Sequence, residues 1–239
     1  MNEIFSRTEA LLGKEALSKL QNSQVALFGL GGVGGFALEG LVRSGVGHID
    51  IFDFDTISPS NLNRQIVATS KNMGEKKTEA AFLRAKEISP DTEILVHDMF
   101  YLPENADSVD ISNFDVIIDA VDTVTAKLEI ISRAKKADIP VISCMGTGNK
   151  IDITKLKVGD LFSTRGCPLA RVMRKELRAR GVDSLQVVWS DEEPKFSEDT
   201  GDLKGNRPVP SSAIFVPAAA GLLLAKEAIS MLLAEDNNG

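Results

Sequence analysis

Short runs of apolar residues alternate with longer segments whose apolar positions recur at helical spacing. Each short run suits a buried strand, and each longer segment suits an amphipathic helix packed on a sheet. This alternation predicts right-handed βαβ units and an α/β fold, with a mostly parallel sheet and helices on both faces. The predicted strands are residues 24–28, 49–54, 92–96, 116–119 and 141–144, and the predicted helices are residues 33–43, 75–88 and 123–137.

The flanking segments predict additions to the same sheet. Leucine and alanine recur at helical spacing over residues 8–20, ahead of the first strand, and a second helix begins near Pro168. Residues 186–190 read as a strand, residues 191–210 as a mobile loop, and residues 217–234 as an Ala/Leu-rich covering helix. We therefore expect one domain over residues 1–239. Residues 22–150 would form a nucleotide-binding half and residues 151–239 a half that faces a second substrate.

A glycine-rich turn follows the first predicted strand and opens the next helix, in the pattern G-x-G-x-x-G. Gly29 permits the tight turn, Gly31 and the adjoining Gly32 let a phosphate approach the backbone, and Gly34 lets helix and strand pack closely. Asp53 follows at the distance at which a carboxylate meets ribose hydroxyls. The turn thus predicts a nucleotide on a Rossmann-like sheet, against the alternative of a glycine-rich turn that holds no ligand.

Polar side chains after the second and fourth strands extend this site. Ligands of such sheets bind at the carboxyl ends of the strands, so these segments, together with residues 144–148 after the fifth strand, share one edge with the glycines. A fork-shaped guanidinium and a lysine suit the high charge of a triphosphate and of a leaving pyrophosphate, and a carboxylate suits Mg²⁺. The residues concerned are Asp55, Asn61, Arg64, Gln65 and Lys77 for the nucleotide and Asp122 for the metal. The pattern favours ATP over a dinucleotide.

Composition narrows the class of protein. Hydrophobic residues make up 43% of the chain and the mean hydropathy is −0.01, which suits a packed core. The net charge of −7 argues against binding of nucleic acid or anionic membrane over the whole surface, although a local basic face stays open. Cys144 and Cys167 are too few for a disulfide framework or a four-cysteine zinc site, so we expect no zinc. Charged residues interrupt both termini, as Lys226 and Glu227 do within the apolar tail, which predicts a cytoplasmic protein without a membrane span.

The ordered motifs of the first half resemble those of the ubiquitin-activating-enzyme superfamily. These motifs are G-x-G-G-V-G, D-x-D-x-x-x-x-S-N-L-x-R-Q, a following lysine, and V-D-T after the fourth strand. The resemblance implies that Asp53 holds the ribose, that Asn61, Arg64 and Lys77 hold phosphates, and that Asp122 holds Mg²⁺. It also implies a homodimer in which Arg7 reaches the partner's triphosphate, which adds Arg7 to Arg64, Lys77 and Asp122 as a catalytic residue.

Nearly end to end, the chain is similar to the bacterial tRNA threonylcarbamoyladenosine dehydratases of that superfamily. The similarity rests on the opening F-S-R-T-E-A-L-L-G, on S-C-M-G-T-G-N-K-I-D and T-R-G-C-P-L-A-R, and on the late S-A-I-F-V-P. It implies that the threonyl carboxylate of threonylcarbamoyladenosine, beside the tRNA anticodon, is adenylated and then cyclised, with release of AMP and pyrophosphate. An intramolecular attack needs mainly positioning and exclusion of water, which agrees with the lack of an obvious nucleophile–base pair.

A basic stretch offers the local surface that an acidic protein needs to bind tRNA. Six cations and a single acid occupy residues 165–180. Several recur at i, i+3, i+4 and i+7, which predicts a shared outer helix face opposite an apolar stripe of Leu169, Val172, Met173 and Leu177. The alternative is an ordinary solvated helix surface. The predicted tRNA-contacting residues are Arg165, Arg171, Arg174, Lys175 and Arg178.

Two further classes of function compete with this hypothesis. The first is an adenylating activator of a ubiquitin-like sulfur-carrier protein, although the two C-x-x-C zinc pairs usual in such activators are missing here. The second is a non-catalytic nucleotide-binding scaffold or an NAD-dependent oxidoreductase, against which Arg64, Lys77 and Asp122 argue. Structural roles are expected for His48 and His97, while a thioester at Cys167, at a helix start, and a sulfur-transfer protein as partner stay open as alternatives.

Overall fold

The computed structural model describes residues 3–195, 203–204, 207–208 and 210–234. These residues form a seven-stranded sheet in the order β3-β2-β1-β4-β5-β7-β6. The strands are β1 (Gln24–Phe28), β2 (His48–Asp53), β3 (Glu93–Asp98), β4 (Val116–Asp119), β5 (Val141–Cys144), β6 (Leu156–Asp160) and β7 (Gln186–Ser190). Six strands run parallel and β6 pairs antiparallel with β7, so the predicted α/β class is confirmed.

The strand order reverses at β1, which lies between β2 and β4. Phe28, the last residue of β1, is in register with Phe52 on one side and with Asp119 on the other. The carboxyl ends of β1, β2 and β4 therefore reach one edge together, at the point where the connections diverge to opposite faces. Such a switch point is where doubly wound sheets bind ligands.

Helices cover both faces of the sheet. The helices are α1 (Ser6–Leu12), α2 (Lys14–Gln21), α3 (Gly34–Ser44), α4 (Lys77–Ile88), α5 (Val124–Lys136), α6 (Pro168–Ala179) and α7 (Phe215–Leu233). Helices α3, α4 and α7 share one apolar core with the sheet, and α5 and α6 share the other. The central strands are buried on both sides, as a covered parallel sheet requires.

The apolar helix α7 packs directly on α3 through small residues. A Cβ placed on Gly40 would lie 2.6 Å from the Cβ of Ala225, and one placed on Gly221 would lie 2.2 Å from the carbonyl oxygen of Val33. Among the described residues, α7 is the one helix with the length and hydropathy of a membrane span. Its buried face belongs to the core of this fold, since Ala220, Leu224 and Ala228 lie within that core.

Three features differ from the sequence-based expectations. The single helix predicted over residues 8–20 is two helices, because Gly13, at φ +94°, interrupts the helical conformation between α1 and α2. Strand β6 was not predicted, since its burial does not alternate and it carries Lys157 and Gly159. Half of the loop predicted over residues 191–210 lies outside the described residues, and within the described part Leu203–Lys204 pairs antiparallel with Arg207–Pro208.

Candidate functional site

A cavity of about 310 Å³ opens at the carboxyl edge of β1, β2 and β4. It brings together most of the side chains and glycines that the sequence singles out. The predicted residues that line it are Gly29, Gly31, Gly32, Asp53, Asp55, Asn61, Arg64, Gln65, Lys77 and Asp122. Gly34 is buried against Gly29 and does not line the cavity, and Arg7 lies on an exposed part of α1, where it does not line the cavity either.

The glycine turn leaves room in front of the start of α3. Gly29 has φ +92°, a left-handed conformation that favours glycine, and a Cβ on Gly34 would stand 1.7 Å from the carbonyl oxygen of Gly29. A Cβ on Gly31, in contrast, would meet nothing within 4 Å. Two glycines are thus needed to close the turn onto the helix, and Gly31 borders open space that can take an anion at the helix start.

Asp53 joins the glycine turn to the next loop. Its Oδ2 accepts a hydrogen bond from the backbone N–H of Leu30 at 2.7 Å, and its Oδ1 accepts one from the backbone N–H of Asp55 at 2.9 Å. Each carboxylate oxygen has a second acceptor position. Asp53 is therefore held in place at the end of β2, and its oxygens can still accept hydrogen bonds from the hydroxyl groups of a ligand.

Lys77 is a buried cation at the first position of α4. Its Nζ lies 2.6 Å from Oδ2 of Asp55, and its backbone N–H donates to the carbonyl oxygen of Asp55 at 3.0 Å. A lysine in the first turn of a helix opposes the helix dipole, so a nearby carboxylate is needed to offset it. The neighbouring Lys76 points elsewhere and pairs with Asp98. The predicted nucleotide ligand Asp55 thus serves as the partner of Lys77.

The remaining phosphate candidates follow a short 3₁₀ turn at Pro59–Asn61. Asn61 is buried and closes a capping box, in which its Oδ1 accepts from the backbone N–H of Ser58 at 3.0 Å. Arg64 uses Nη1 to donate to the carbonyl oxygen of Ser60 at 2.8 Å and to Oδ1 of Asn63 at 2.9 Å. A guanidinium has three further N–H groups to offer a ligand.

Gln65 carries a buried acceptor without a partner among the described residues. Its Oε1 is fully shielded, and the side chain lines the cavity. An unpaired buried amide oxygen is costly, because it has lost its hydrogen bonds to water. The cavity side of Gln65 is therefore suited to receive a donor from a ligand.

Asp122 follows β4 at the entrance to α5. It is exposed, and its Oδ1 accepts a hydrogen bond from Oγ1 of Thr123 at 3.2 Å. Among the described residues that line the cavity, two cations face three carboxylates, and Asp55 already pairs with Lys77. A polyphosphate would thus need additional positive charge, and a carboxylate at Asp122 suits a divalent cation with oxygen ligands.

An aromatic wall that the sequence did not predict lines the deep side of the cavity. Phe28 stacks on Phe52 with ring centroids 4.2 Å apart, and Tyr101 meets Phe28 edge-on at 4.9 Å. Behind them, His97 stacks on Phe52 and bonds to Asp50 at 2.7 Å, which gives His97 a structural place. Burial raises the pKa of Tyr101 to about 12. The wall offers a flat apolar surface for a planar base. In the sequence, this wall was indicated only by the aromatic residues Phe28 and Phe52 at the ends of β1 and β2.

The loop after β5 and the start of α7 with the segment before it supply further lining of the cavity, through Thr147, Ser212 and Pro217. The segment before α7 is fastened by two hydrogen bonds. Asn63 Nδ2 donates to the carbonyl oxygen of Ser212 at 2.8 Å, and the backbone N–H of Asn149 donates to the carbonyl oxygen of Ser211 at 2.7 Å. The predicted position of residues 144–148 at this edge of the sheet is confirmed by Thr147, whereas the motif that contains Ser212 had no predicted position, because its contacts with Asn63 and Asn149 are distant in sequence.

Both cysteines are buried thiols. Burial raises the pKa of Cys144 to about 12, so this thiol stays protonated at neutral pH. Cys167 caps the start of α6, and a Cβ placed on Gly146 would lie 3.5 Å from its Sγ. Nearby, the buried Lys150 donates to the carbonyl oxygen of Ser190 at 2.7 Å, and loss of hydration lowers the pKa of this lysine. Cys167 therefore lies behind the β5 loop and does not line the cavity.

The basic segment of residues 165–180, which contains α6, presents only part of its predicted cationic face to solvent. Arg165, Arg171, Lys175 and Arg178 are exposed, and the Arg178 guanidinium lies 5.1 Å from the centroid of the Phe162 ring. Within the described residues, the one ion pair on this helix joins Arg180 to Glu176 at 2.9 Å.

Two residues of α6 differ from the predicted pattern. Arg174 is half-buried and donates to the carbonyl oxygen of Thr164 at 3.0 Å, whereas Val172 is 45% exposed. The buried stripe runs through Ala170 and Leu177, and Arg174 follows the former by four residues and precedes the latter by three. Positions at this spacing share a helix face, so Arg174 lies beside the core and Val172 lies opposite it.

Fold and cavity together define a nucleotide-binding α/β protein with cations placed for phosphate groups. The sequence model of the ThiF family matches residues 5–239, and the chain belongs to this family. The tRNA threonylcarbamoyladenosine dehydratase of Bacillus subtilis (strain 168) is 38% identical, over 96% of this chain and 94% of that protein.

Solved structures of the E. coli tRNA N6-threonylcarbamoyladenosine dehydratase, TcdA, are similar to this fold. The complex with AMP has a TM-score of 0.89 and the complex with ATP a TM-score of 0.86. Each is 30% identical and covers 97% of this chain and 94% of that chain. The family resemblance inferred from the motifs is confirmed.

Proposed function

We propose that this chain is an ATP-dependent tRNA threonylcarbamoyladenosine dehydratase. The observation that supports this most is the cavity, which combines a glycine turn and a fixed Asp53 with Arg64 and Lys77 at the same edge. An oxidoreductase has no need of two cations beyond a pyrophosphate-binding turn. A scaffold has no need of a buried lysine that is paired, within the described part of the cavity, with an exposed loop carboxylate.

The reaction begins at the α-phosphorus of ATP. An oxygen of the threonyl carboxylate attacks this phosphorus, the bond to the bridging oxygen breaks, and pyrophosphate leaves. Arg64 and Lys77 offer N–H groups where negative charge grows on the phosphate oxygens, which is the most effective place for electrostatic stabilisation. The products of this step are an acyl adenylate and pyrophosphate, and all atoms are conserved.

Cyclisation follows within the same side chain. A nitrogen or oxygen of the threonylcarbamoyl group attacks the activated acyl carbon, loses its proton, and expels AMP, so the nucleoside loses one water overall. Attack within one molecule needs little beyond orientation and a dry site. The aromatic wall and the two segments that carry Thr147 and Ser212 line the cavity and serve this purpose.

Asp122 is our candidate ligand for Mg²⁺, which when bound would neutralise charge on the phosphates. We also propose that the protein is a homodimer, in which Arg7 of each chain reaches the partner's triphosphate. The exposed position of Arg7 on α1 supports a role outside its own cavity. The cytoplasm, where tRNA is modified, is the expected compartment.

The exposed cations of α6 are our candidate contacts for the tRNA backbone. The start of α6 adjoins the cavity edge, since a Cβ on Gly146 would lie 3.8 Å from the Cβ of Leu169, and the next residue, Thr147, lines the cavity. A tRNA lying along Arg165, Arg171, Lys175 and Arg178 would thus present its anticodon region to the nucleotide. The expected division is a nucleotide-binding half, residues 22–150, and a tRNA-facing half, residues 151–239, in one domain.

Mass spectrometry of nucleosides tests the function directly. Purified protein, ATP, Mg²⁺ and tRNA containing threonylcarbamoyladenosine should yield a nucleoside lighter by one water, together with AMP and pyrophosphate. Omission of ATP, or its replacement by NAD, should leave the nucleoside unchanged. An unchanged nucleoside with all components present would refute the proposal.

An activator of a sulfur-carrier protein is the alternative that the family membership keeps open. Such an enzyme would exchange pyrophosphate into ATP only when a carrier protein with a C-terminal glycine is supplied, and a sulfur-transfer protein would then be its partner. The variant Cys167→Ser separates the mechanisms. Undiminished cyclisation excludes a thioester at Cys167, and the burial of this thiol leads us to expect that result.

A further inference from the structure

Lys127 and Asp119 form an ion pair with no exposed side-chain surface. The Nζ of Lys127 lies 2.9 Å from Oδ2 of Asp119, and the hydroxyl of Ser143 donates to the same oxygen at 2.6 Å. Lys127 also donates to Oγ of Ser143 at 3.1 Å. Removal of two charges from water is costly, and a buried ion pair is poor evidence for a gain in stability. The three residues therefore need an explanation other than stability.

These three side chains connect the elements around one loop of the cavity. Asp119 ends β4, Lys127 lies in the second turn of α5, and Ser143 belongs to β5. The loop of residues 120–123, which carries Asp122, connects Asp119 at the end of β4 to α5. The other oxygen of Asp119, Oδ1, accepts from the backbone N–H of Val121 at 3.2 Å. The ion pair thus holds a carboxylate that in turn holds the loop.

The same loop is pressed against the glycine turn. The backbone N–H of Ala120 donates to the carbonyl oxygen of Phe28 at 2.8 Å. A Cβ on Gly29 would lie 2.8 Å from the carbonyl oxygen of Ala120, and one on Gly34 would lie 3.4 Å from the Cβ of Ala120. A shift of Ala120 would therefore move either the glycine turn or Asp122.

We propose that Lys127 is a positioning residue of the adenylation site, which acts through Asp119 to fix the loop of residues 120–123 against the glycine turn. This inference rests on the proposed function. Three donors occupy the carboxylate of Asp119, so it cannot turn towards the cavity and compete with Asp122 for a cation. Because the pair is buried, its geometry is rigid, and it sets the distance between Asp122 and the turn that receives the phosphates.

The main test is the double variant Lys127→Met with Asp119→Asn. It removes both charges together, so that neither remains buried alone, and the asparagine oxygen can still accept from Val121. We expect a folded protein in which kcat for ATP–pyrophosphate exchange falls by about tenfold or more, as for a displaced catalytic group, and in which KM for ATP rises by no more than the affinity that Mg²⁺ contributes to binding. Lys127→Arg, which keeps the charge, should retain more of the rate than Lys127→Met.

A second readout does not depend on turnover. Calorimetry of ATP binding with and without Mg²⁺ should show that the double variant loses most of the gain in affinity that Mg²⁺ gives the wild type. An unchanged Mg²⁺ effect together with an unchanged kcat would overturn the inference and leave the ion pair a structural feature. If the wild type itself makes no cyclised nucleoside, the proposed function fails, and the calorimetric comparison still decides the role of Lys127.

Two serine variants keep the test decisive if the double variant does not fold. Ser143→Ala removes the hydroxyl that bridges Lys127 and Asp119 and leaves the ion pair in place. Ser89→Ala is the matched control, because Ser89 is equally buried and bonds to Thr92 at 2.8 Å, in the segment between α4 and β3. A loss of kcat and of the Mg²⁺ effect in Ser143→Ala alone supports the inference, and equal behaviour of the two variants refutes it.

Discussion

Lys77 and Asp55 are joined twice, through side chains 2.6 Å apart and through a backbone hydrogen bond of 3.0 Å. The lysine side chain is only 6% exposed, whereas the aspartate side chain is 48% exposed. The ammonium is therefore held ready inside the cavity by a carboxylate that water can solvate. A phosphate group can replace Asp55 as the partner of the Lys77 ammonium at a modest cost in free energy, because the released Asp55 carboxylate regains its hydration.

Replacement of Lys77 by Met should lower the rate of ATP–pyrophosphate exchange by about 100-fold, the usual cost of removing a group that stabilises developing charge. The protein should remain folded, since Asp55 is solvated rather than left buried. Lys76→Met is the matched control, because Lys76 pairs with Asp98 outside the cavity and should retain near-normal exchange. Similar losses in both variants would show that Lys77 has no special role.

Two glycines of the turn should respond to the same substitution in opposite ways. Gly34→Ala would place a methyl group 1.7 Å from the carbonyl oxygen of Gly29, so we expect a strongly destabilised protein in thermal unfolding. Gly31→Ala adds a methyl group to open space, so its melting temperature without ligand should be close to that of the wild type.

ATP binding then separates the role of Gly31 from stability. A methyl group at Gly31 fills the space where the phosphate would approach the backbone, and we expect ATP affinity to fall by about tenfold or more, equivalent to the loss of one charge-assisted hydrogen bond. Calorimetry on the folded variant measures this. Normal affinity in Gly31→Ala would mean that the phosphates lie elsewhere.

Much of the site could be predicted because its residues follow strands directly. Asp53 and Asp122 come within a few residues of β2 and β4, and the topology of parallel strands brings them to one edge without any knowledge of side-chain packing. The glycine turn was equally readable, since its spacing reflects local backbone geometry. Strand bounds agreed closely for the same reason, as β4 and β5 have the predicted limits.

The features that were missed depend on contacts between distant parts of the chain. Ser212 reaches the cavity because hydrogen bonds from Asn63 and Asn149 hold the segment before α7 in place. The Lys127–Asp119 pair was invisible because a lysine at that position of an amphipathic helix ordinarily faces solvent. Arg174 was assigned to the outer face because spacing alone does not locate the centre of the buried stripe.

The exposed cations of α6 should determine how tRNA binding depends on salt. Arg171→Gln with Lys175→Gln should weaken tRNA binding and reduce the slope of log affinity against log salt by about one for each phosphate that is no longer neutralised. Arg180→Gln is the matched control, because Arg180 is paired with Glu176 and should change the slope little. Arg174→Gln should lower stability instead, since its guanidinium bonds to Thr164. An unchanged slope in the double variant would remove α6 from the tRNA surface.

Tyr101 should make the protein less stable at alkaline pH. Burial raises its pKa to about 12, whereas in the unfolded chain the phenol loses its proton near the ordinary value of 10. The folded state binds more protons than the unfolded state between these values, so the free energy of unfolding falls as pH rises from about 10 to about 12, by about 2 kcal/mol. The variant Tyr101→Phe should lack this component of the alkaline loss.

Because Tyr101 is the single tyrosine of the sequence, the absorbance of tyrosinate reports on this side chain alone. A rapid pH jump should give a midpoint near pH 12 in the folded protein and near pH 10 in urea, and urea titrations at each pH should give the change in stability. A midpoint near pH 10 in the folded protein would mean that water reaches the phenol. The ring of Tyr101 would then not close the deep side of the cavity against Phe28, and the proposed dry site for cyclisation would lose one of its walls.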